Sequence, residues 1–296
     1  MPFKEEKTLI ARIEECYRTP FKEFLISSIK PAISISTKDK ELHSSQVSQM
    51  GGIPLINKNE EWPRSKDDNK PFLFLLQVDL SELSTFRIEV GLPTEGILSF
   101  YFHSSSWEGG VLKYYKNKED LIKAKLPKEY FEEENRKNLP FWKRFFIKEE
   151  SFRIFKECKI DFSLEYDIPS YDSLQVELFE KENSIRIFDF RTDDLLIEKY
   201  FLNDDGSGRH HLLGYYRALQ DSKYELPRRE YDRLLRMNNS KKVIEEGLEW
   251  RILLKLGSDK LASMNWVDAG NLFFFIREKD LSNLKFDEIR AYLDTT

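Results

Sequence analysis

The chain contains four histidines, and His210 and His211 are adjacent to each other. A histidine can act as a general base or as a metal ligand, because its ordinary pKa lies close to neutral pH. Adjacent residues of a strand point to opposite faces, so these two rings are poorly placed to hold one metal ion. We interpret His210 as a histidine hydrogen-bonded to the backbone. For His211, a structural role and a functional role remain equally open.

Two other polar residues interrupt apolar segments. Gln77 lies within the run from Phe72 to Leu80, and Asp268 precedes Gly270 by two positions. A buried glutamine must find hydrogen-bond partners, so Gln77 either stabilises the fold or contacts a ligand. Asp268 either caps a turn or binds a polar group. We favour the structural interpretation for both.

Two irregular loops combine glycine with polar or aromatic residues, at positions 51–63 and 210–220. Glycine adopts backbone conformations that other residues avoid, so such loops can present backbone donors to a ligand. We expect the two loops to approach each other. Their candidate binding residues are Gly51, Gly52, Pro54, Trp62, His211, Gly214 and Gln220. Trp266 is a further candidate, although large aromatic side chains more often belong to the core.

The common catalytic signatures are absent from the sequence. It has no glycine-rich phosphate loop, no Gly-x-Ser-x-Gly elbow, no His-Glu-x-x-His and no Cys-x-x-Cys. We therefore predict no catalytic residues, no cofactor and no metal site. Cys16 and Cys158 are expected to be reduced thiols, because two distant cysteines do not form a disulfide framework.

The charges are dense and nearly balanced. Lys and Arg number 47 and Asp and Glu 52, a net charge of −5. A nucleic-acid-binding protein usually has a basic surface, so this balance argues against a nucleic-acid partner. No apolar run approaches the roughly 18 residues of a membrane span, and the N-terminus lacks an apolar signal region. We expect a cytoplasmic protein without a membrane partner.

The hydrophobic pattern predicts helices first and strands afterwards. Apolar residues recur at helical spacing in residues 3–17 and again between Phe21 and Ile29. Strands are predicted from alternating or continuous apolar runs, at Ile33–Ile35, 72–80, 97–102, 111–115, 158–165, 184–190, 250–256 and 271–276. Residues 116–150 are highly charged and predicted to be partly helical.

Two segments of the chain resemble each other. Phe74-Leu75-Leu76-Gln77-Val78 is matched by Ile252-Leu253-Leu254-Lys255-Leu256, and the aromatic strand after Gly96 is matched by the one after Gly270. We predict an α+β fold of two repeated, mainly antiparallel β units with peripheral helices, related by a pseudo-two-fold internal duplication. The predicted divisions are N-terminal helices (1–30), a first β repeat (31–115), a charged helical insertion (116–150) and a second β repeat (151–296), within one globule.

A set of short motifs spread over residues 30–290 resembles the YwqG-like family of bacterial proteins. The motifs are Gly51-Gly52-x-Pro54, Trp62-Pro63, Phe74-Leu75-Leu76-Gln77, His211-x-Leu213-Gly214-Tyr215, Gln220, the strand from Trp250, and Trp266-x-Asp268-x-Gly270. The chain departs from the family pattern at Tyr216, where proline is usual, at Val267, where glycine is usual, and at Lys255, where glutamine is frequent.

The resemblance implies an α+β fold with repeated β units, a connection to toxin–immunity loci and, more distantly, to chaperones. On that basis we predict a non-catalytic role in which the partner is another protein. The alternative is a small-ligand binder or a hydrolase-type enzyme that uses His211, Gln220, Gln77 and Asp268 in a cleft between the repeats. A pocket with convergent polar groups and perturbed pKa values would favour the alternative.

Overall fold

The computed structural model describes residues 4–39, 47–86, 88, 91–103, 109–130, 153–171, 173–192, 209–217, 245–267 and 270–295. The helices in these ranges are α1 (Glu6–Cys16), α2 (Phe21–Ser27), α3 (Leu80–Leu83), α4 (Leu174–Asn183) and α5 (Glu278–Ser282). The strands are β1 (Lys30–Lys38), β2 (Gln49–Met50), β3 (Leu55–Asn57), β4 (Leu73–Asp79), β5 (Ile97–Phe102), β6 (Gly110–Tyr115), β7 (Leu121–Lys123), β8 (Cys158–Asp167), β9 (His210–Leu213), β10 (Trp250–Gly257), β11 (Asn271–Arg277) and β12 (Arg290–Asp294).

Ten of these strands form one antiparallel sheet. Its order is β12-β11-β10-β9-β1-β8-β2-β4-β5-β6, and β3 pairs with β7 in a separate two-stranded sheet. The two outer strands of the large sheet lie side by side, because the Gly109 N–H donates to the Ala291 carbonyl at 3.3 Å. The fold is therefore a mixed α+β structure built on a nearly closed sheet.

The enclosed face of this sheet is apolar. Strand residues alternate between the two faces, and the enclosed side chains from both ends of the sheet pack into one core. Phe100 and Phe274, for example, pack edge to face at 5.2 Å although they lie far apart in the sequence. The core strands include Ile33, Ile35, Met50, Leu76, Val78, Leu98, Phe100, Cys158, Ile160, Leu212, Leu254, Leu256, Leu272 and Phe274.

The helices α1, α2 and α4 pack together at the periphery. Their apolar side chains form a second cluster that includes Leu9, Ile13, Phe21 and Val176. Cys16 is buried in this cluster and Cys158 in the main core, and both are free thiols, as predicted. Within the described residues, every helix is too short or too polar to cross a membrane.

The structure corrects two predictions. The β units do not form two sheets with a cleft between them, because β1 pairs with β8 and joins the strands into one sheet in the described part of the chain. A strand was predicted for 184–190, but a short 3-10 helix forms at Ile187–Phe190. The charged segment 116–150, which was predicted to be partly helical, contains β7 at Leu121–Lys123 and helical residues at 128–130, while 131–150 lie outside the described residues.

Candidate ligand pocket

A polar pocket lies on the outer face of the sheet, where β8, β1, β9 and β10 are neighbours. The register places Ala32 opposite Glu165, Ser34 opposite His211, and His211 opposite Lys255. Because Ile33 and Ile35 point into the core, the alternating residues of β1 face outward. The pocket is lined by Ala32, Ser34, Glu165, Asp167, Arg209, His210, His211, Arg217 and Lys255. It leaves about 30 Å³ for the centres of water molecules.

Asp167 fastens the turn that follows β9. Its Oδ2 accepts the Tyr215 N–H at 3.0 Å, and its Oδ1 accepts the Ile168 N–H at 2.9 Å and an Arg217 N–H at 2.5 Å. Burial alone would raise the pKa of this carboxyl group, but Arg217 and these hydrogen bonds outweigh it and lower the pKa. Asp167 is therefore an ionised structural group at neutral pH, with both oxygens occupied.

His211 is held in one neutral tautomer. Its Nδ1 lies 2.6 Å from the Leu213 carbonyl oxygen, which can only accept, so Nδ1 carries the proton. Burial, followed by the nearby charge of Lys255, lowers the pKa of His211 to about 3. At neutral pH its Nε2 therefore presents a lone pair and acts as a hydrogen-bond acceptor.

Lys255 and Arg209 add positive charge to the same pocket. Lys255 lies in the middle of β10 and is only 2% exposed, so its ammonium group is held among protein atoms. Burial is the largest cause lowering the pKa of Arg209, and the neighbouring Arg217 lowers it further. Across the pocket, burial raises the pKa of Glu165, partly offset by Arg209 and by a hydrogen bond from Ser34. Cations exceed carboxylates here by three to two.

His210 belongs to a structural cluster, as predicted. Its Nδ1 accepts the Gly257 N–H at 3.1 Å, and its Nε2 lies 3.1 Å from Asp259 Oδ2. Asp259 also accepts from Thr37 and from the Ala262 N–H. Burial would raise the pKa of Asp259, but the His210 hydrogen bond and the other donors lower it well below its usual value.

The remaining predicted candidates lie away from this pocket. Gln77 is fully buried: its Oε1 accepts the Leu55 N–H at 3.0 Å, while its Nε2 donates to the Leu55 carbonyl and to Ser99. Trp62 and Trp266 are buried and donate to the carbonyls of Phe72 and Gly257, respectively. These three side chains stabilise the fold. Gln220 and Asp268 lie outside the described residues.

The glycine turns of the two loops, at Gly51-Gly52 and at Gly214, do not approach each other, so the prediction is wrong for these residues, while 218–220 lie outside the described part of the chain. The Gly52 N–H donates to the Phe155 carbonyl at 2.9 Å, just before β8 begins, and buried Pro54 accepts from Ala124. Gly214 lies against Asp167, where β8 ends. A strand of ten residues spans about 30 Å, so the loops are separated by the length of β8.

Sequence reasoning found His211 and Gly214 but not their neighbours. Lys255 carried a usable signal, because it is a lone charge within an otherwise apolar strand core. Glu165 alternates with apolar residues in the predicted strand 158–165, and Asp167 lies two residues beyond it. Arg209 and Arg217 flank β9 without a pattern of their own. Among the described residues, no three His, Cys, Asp or Glu side chains are grouped to hold a metal ion.

The fold and pocket define an α+β protein with a nearly closed sheet and a small, cation-rich recess on its outer face. A family model described as a domain of unknown function, DUF1963, matches residues 48–295. The chain therefore belongs to the DUF1963 family. A search of curated proteins finds no match. The matched region begins after β1, although β1 lies between β8 and β9 and contributes Ala32 and Ser34 to the pocket.

Proposed function

We propose that this chain is a non-catalytic binding protein and that its ligand occupies the pocket around His211 and Lys255. The supporting observation is the burial of Lys255 beside His211 on a sheet face. Perturbed titratable groups in a recess are typical of functional sites, and burial together with the charge of Lys255 lowers the pKa of His211 to about 3. The bound group is carried either by a small molecule or by a protein partner.

The state of His211 favours binding over acid–base catalysis. A general base works best when its pKa lies near the operating pH, whereas the pKa of His211 is about 3. Its Nδ1–H is directed to the Leu213 carbonyl and not to a carboxylate that would stabilise an imidazolium. A neutral histidine of this kind is suited to accept one hydrogen bond from a ligand.

We also propose that the sheet arose by internal duplication. From its centre outward, one side reads β8, β2, β4, β5, β6 and the other reads β1, β9, β10, β11, β12. A bulge lies between Phe74 and Leu76 in the pairing of β4 with β5, and between Ile252 and Leu254 in that of β10 with β11. In this arrangement β1 belongs to the first half of the chain but pairs with β9 of the second half. In the same way, β8 belongs to the second half but pairs with β2 of the first half.

Side-chain hydrogen bonds support the same correspondence. Gln49 Nε2 donates to the carbonyl two residues ahead at 2.9 Å, as His211 Nδ1 does at 2.6 Å. Ser48 accepts the Asp79 N–H, as His210 accepts the Gly257 N–H. Both turns continue with two positive φ angles, at Gly51 and Gly52 and at Leu213 and Gly214.

The duplication predicts a pattern across the family. When the two halves of many members are aligned on the bulges, we expect the positions of Gly52 and Gly214 to be glycine in both halves, because both require positive φ. Unrelated residues at these positions, or bulges at unrelated places in an experimental structure of a relative, would contradict common descent.

The correspondence explains where the site lies. In the first half, Gln77 occupies the position of Lys255 and is closed off by the backbone of Leu55. In the second half, Arg217 follows the turn as Leu55 does in the first, but it bonds Asp167 and does not cover Lys255 with its backbone. The recess around Lys255 is therefore lined by side chains. We infer that one half kept a structural role while the other acquired the ligand.

The binding proposal is tested with Lys255→Gln, which copies the residue of the first half. Candidate small molecules and neighbouring gene products from the native host are screened against both proteins, by thermal shift and by direct capture. We expect ligands that raise the Tm of the wild type by several degrees, as saturating ligands do, and fail to protect the variant. Lys113→Gln is the matched control, since Lys113 pairs with Glu60 on the same sheet face outside the pocket. Equal responses from wild type and Lys255→Gln would refute the site.

The association with toxin–immunity loci and chaperones remains a prediction from the resemblance to YwqG-like proteins. The capture of neighbouring gene products tests this association directly. A neighbouring gene product that binds the wild type and loses affinity for Lys255→Gln would identify the pocket as a protein-recognition site. A small molecule that protects the wild type and fails to protect Lys255→Gln would instead identify a small-ligand site.

A further inference from the structure

We propose that the pocket selects an oxyanion that carries its own proton, of which hydrogen phosphate is the simplest example, over an oxyanion that has none, such as sulfate. The proposal rests on the proposed function and adds the chemical class of the ligand. It follows from the cationic groups and the His211 acceptor that line a very small space, in which Glu165 is a further carboxylate.

The cationic side supplies the attraction for an anion. Lys255, Arg209 and Arg217 line the recess as three cationic side chains against the two carboxylates Glu165 and Asp167. Since both Asp167 oxygens are occupied by Ile168, Tyr215 and Arg217, this carboxylate is not directed at a ligand. A bound anion would also relieve the crowding of like charges among these cations.

The acceptor side supplies the selectivity. His211 Nδ1 donates to the Leu213 carbonyl, so Nε2 is the nitrogen left to contact a ligand, and it can only accept. A ligand oxygen without a proton would place its lone pairs against the lone pair of Nε2. A ligand O–H, in contrast, donates a hydrogen bond to the lone pair of Nε2. Sulfate has no proton near neutral pH, whereas inorganic phosphate retains at least one.

The size of the recess restricts the group that enters. Space of about 30 Å³ accommodates roughly two or three water centres. That suits a compact tetrahedral head group, not the body of a large ligand. The head group can be free phosphate or the end of a phosphate monoester. A monoester loses its second proton near pH 6, so above neutral pH it lacks the O–H that Nε2 requires.

The experiment is a calorimetric titration of the full chain at pH 7.5 and constant ionic strength with inorganic phosphate, sulfate and glycerol phosphate. Leaving a buried acceptor unsatisfied costs enough to predict about tenfold to hundredfold tighter binding of phosphate than of sulfate. Free phosphate should also bind more tightly than the monoester, and lowering the pH to 6 should narrow that difference. If glycerol phosphate binds as tightly as free phosphate at pH 7.5, the ligand is a phosphate monoester. That result would contradict the proposal that the ligand must carry a proton.

Two variants separate the contributions. His211→Phe removes the acceptor, so the preference for phosphate over sulfate should disappear while some affinity for both remains. Lys255→Gln should weaken both anions alike, and Lys113→Gln should change neither. Equal binding of phosphate and sulfate by the wild type would overturn the selectivity, independently of whether His211→Phe folds. Failure of the wild type to bind any of the three anions would overturn the ligand class, whereas the proposed function fails only if Lys255→Gln behaves as the wild type throughout the wider screen.

Discussion

His211→Gln should make the folded protein markedly less sensitive to mild acid. The folded-state pKa of His211 is about 3, against about 6.5 in an unfolded chain. The unfolded state therefore binds the proton first, and the stability that neutral His211 provides is present above pH 6.5 and lost as the pH falls towards 3. Between pH 7.5 and 5, the wild type should lose roughly 2 kcal/mol of unfolding free energy through this group alone.

Glutamine is the informative replacement because Gln49 makes the corresponding hydrogen bond in the first half, from Nε2 to the Gly51 carbonyl. The variant should keep the bond to Leu213 and remove the titration. Urea unfolding at pH 7.5 and pH 5 measures the difference. Lys113→Gln, which leaves His211 in place and removes a cation paired with Glu60, is the control and should retain the acid sensitivity of the wild type. Parallel losses in wild type and His211→Gln would show that His211 is not held neutral.

Gly51→Ala should be among the most damaging single substitutions in the chain. The φ angle of Gly51 is +66°, and a Cβ atom there would lie 2.4 Å from the Lys156 carbonyl oxygen. The left-handed backbone costs an L-residue about 1–2 kcal/mol, and relieving the contact requires a shift of the backbone before β8. We expect a total loss of roughly 3–4 kcal/mol, near the upper end for single substitutions.

Gly91→Ala separates the two costs. Gly91 has a similar φ of +74°, but its nearest neighbour would lie 3.6 Å from the new Cβ. Only the backbone cost remains, so we expect about 1 kcal/mol. Equilibrium urea unfolding of both variants gives the comparison. Equal losses would mean that the segment before β8 moves aside readily and that the contact with Lys156 carries no stability.

The strands of this fold could be predicted because their signal is local. Continuous apolar runs gave β4, β5, β10 and β11, and alternation gave β8. The joining of the strands into one sheet could not be predicted, because it depends on the pairing of β1 with β8 across most of the first half of the chain. Local patterns do not encode such a partner. The short 3-10 helix at Ile187–Phe190 was mistaken for a strand, because polar and apolar residues alternate without a break only over 184–187, which is too short to define a period.

The candidate site was predictable only in part. His211 was singled out because histidine is rare in this chain, but its tautomer depends on the Leu213 carbonyl, which the turn at Gly214 brings within reach. The companions Lys255 and Glu165 come from strands on either side of β9 and β1. Gln77, also singled out, is structural because β3 happens to cover it. Identical reasoning from sequence thus gave one pocket residue and one core residue.

The position of β1 has a consequence for the order in which the protein can fold during synthesis. β1 is translated before β8 and β9, the two strands that pair with it in the described part of the sheet. β8 and β9 are translated after β2 to β7. Until then the backbone N–H and C=O groups of β1 have no sheet partners, although the strands of the first half can already pack. A nascent chain in this state presents an unpaired strand to its surroundings, which favours aggregation at that stage. We therefore expect residues 30–38 to be shielded during synthesis, quite apart from what the mature protein binds.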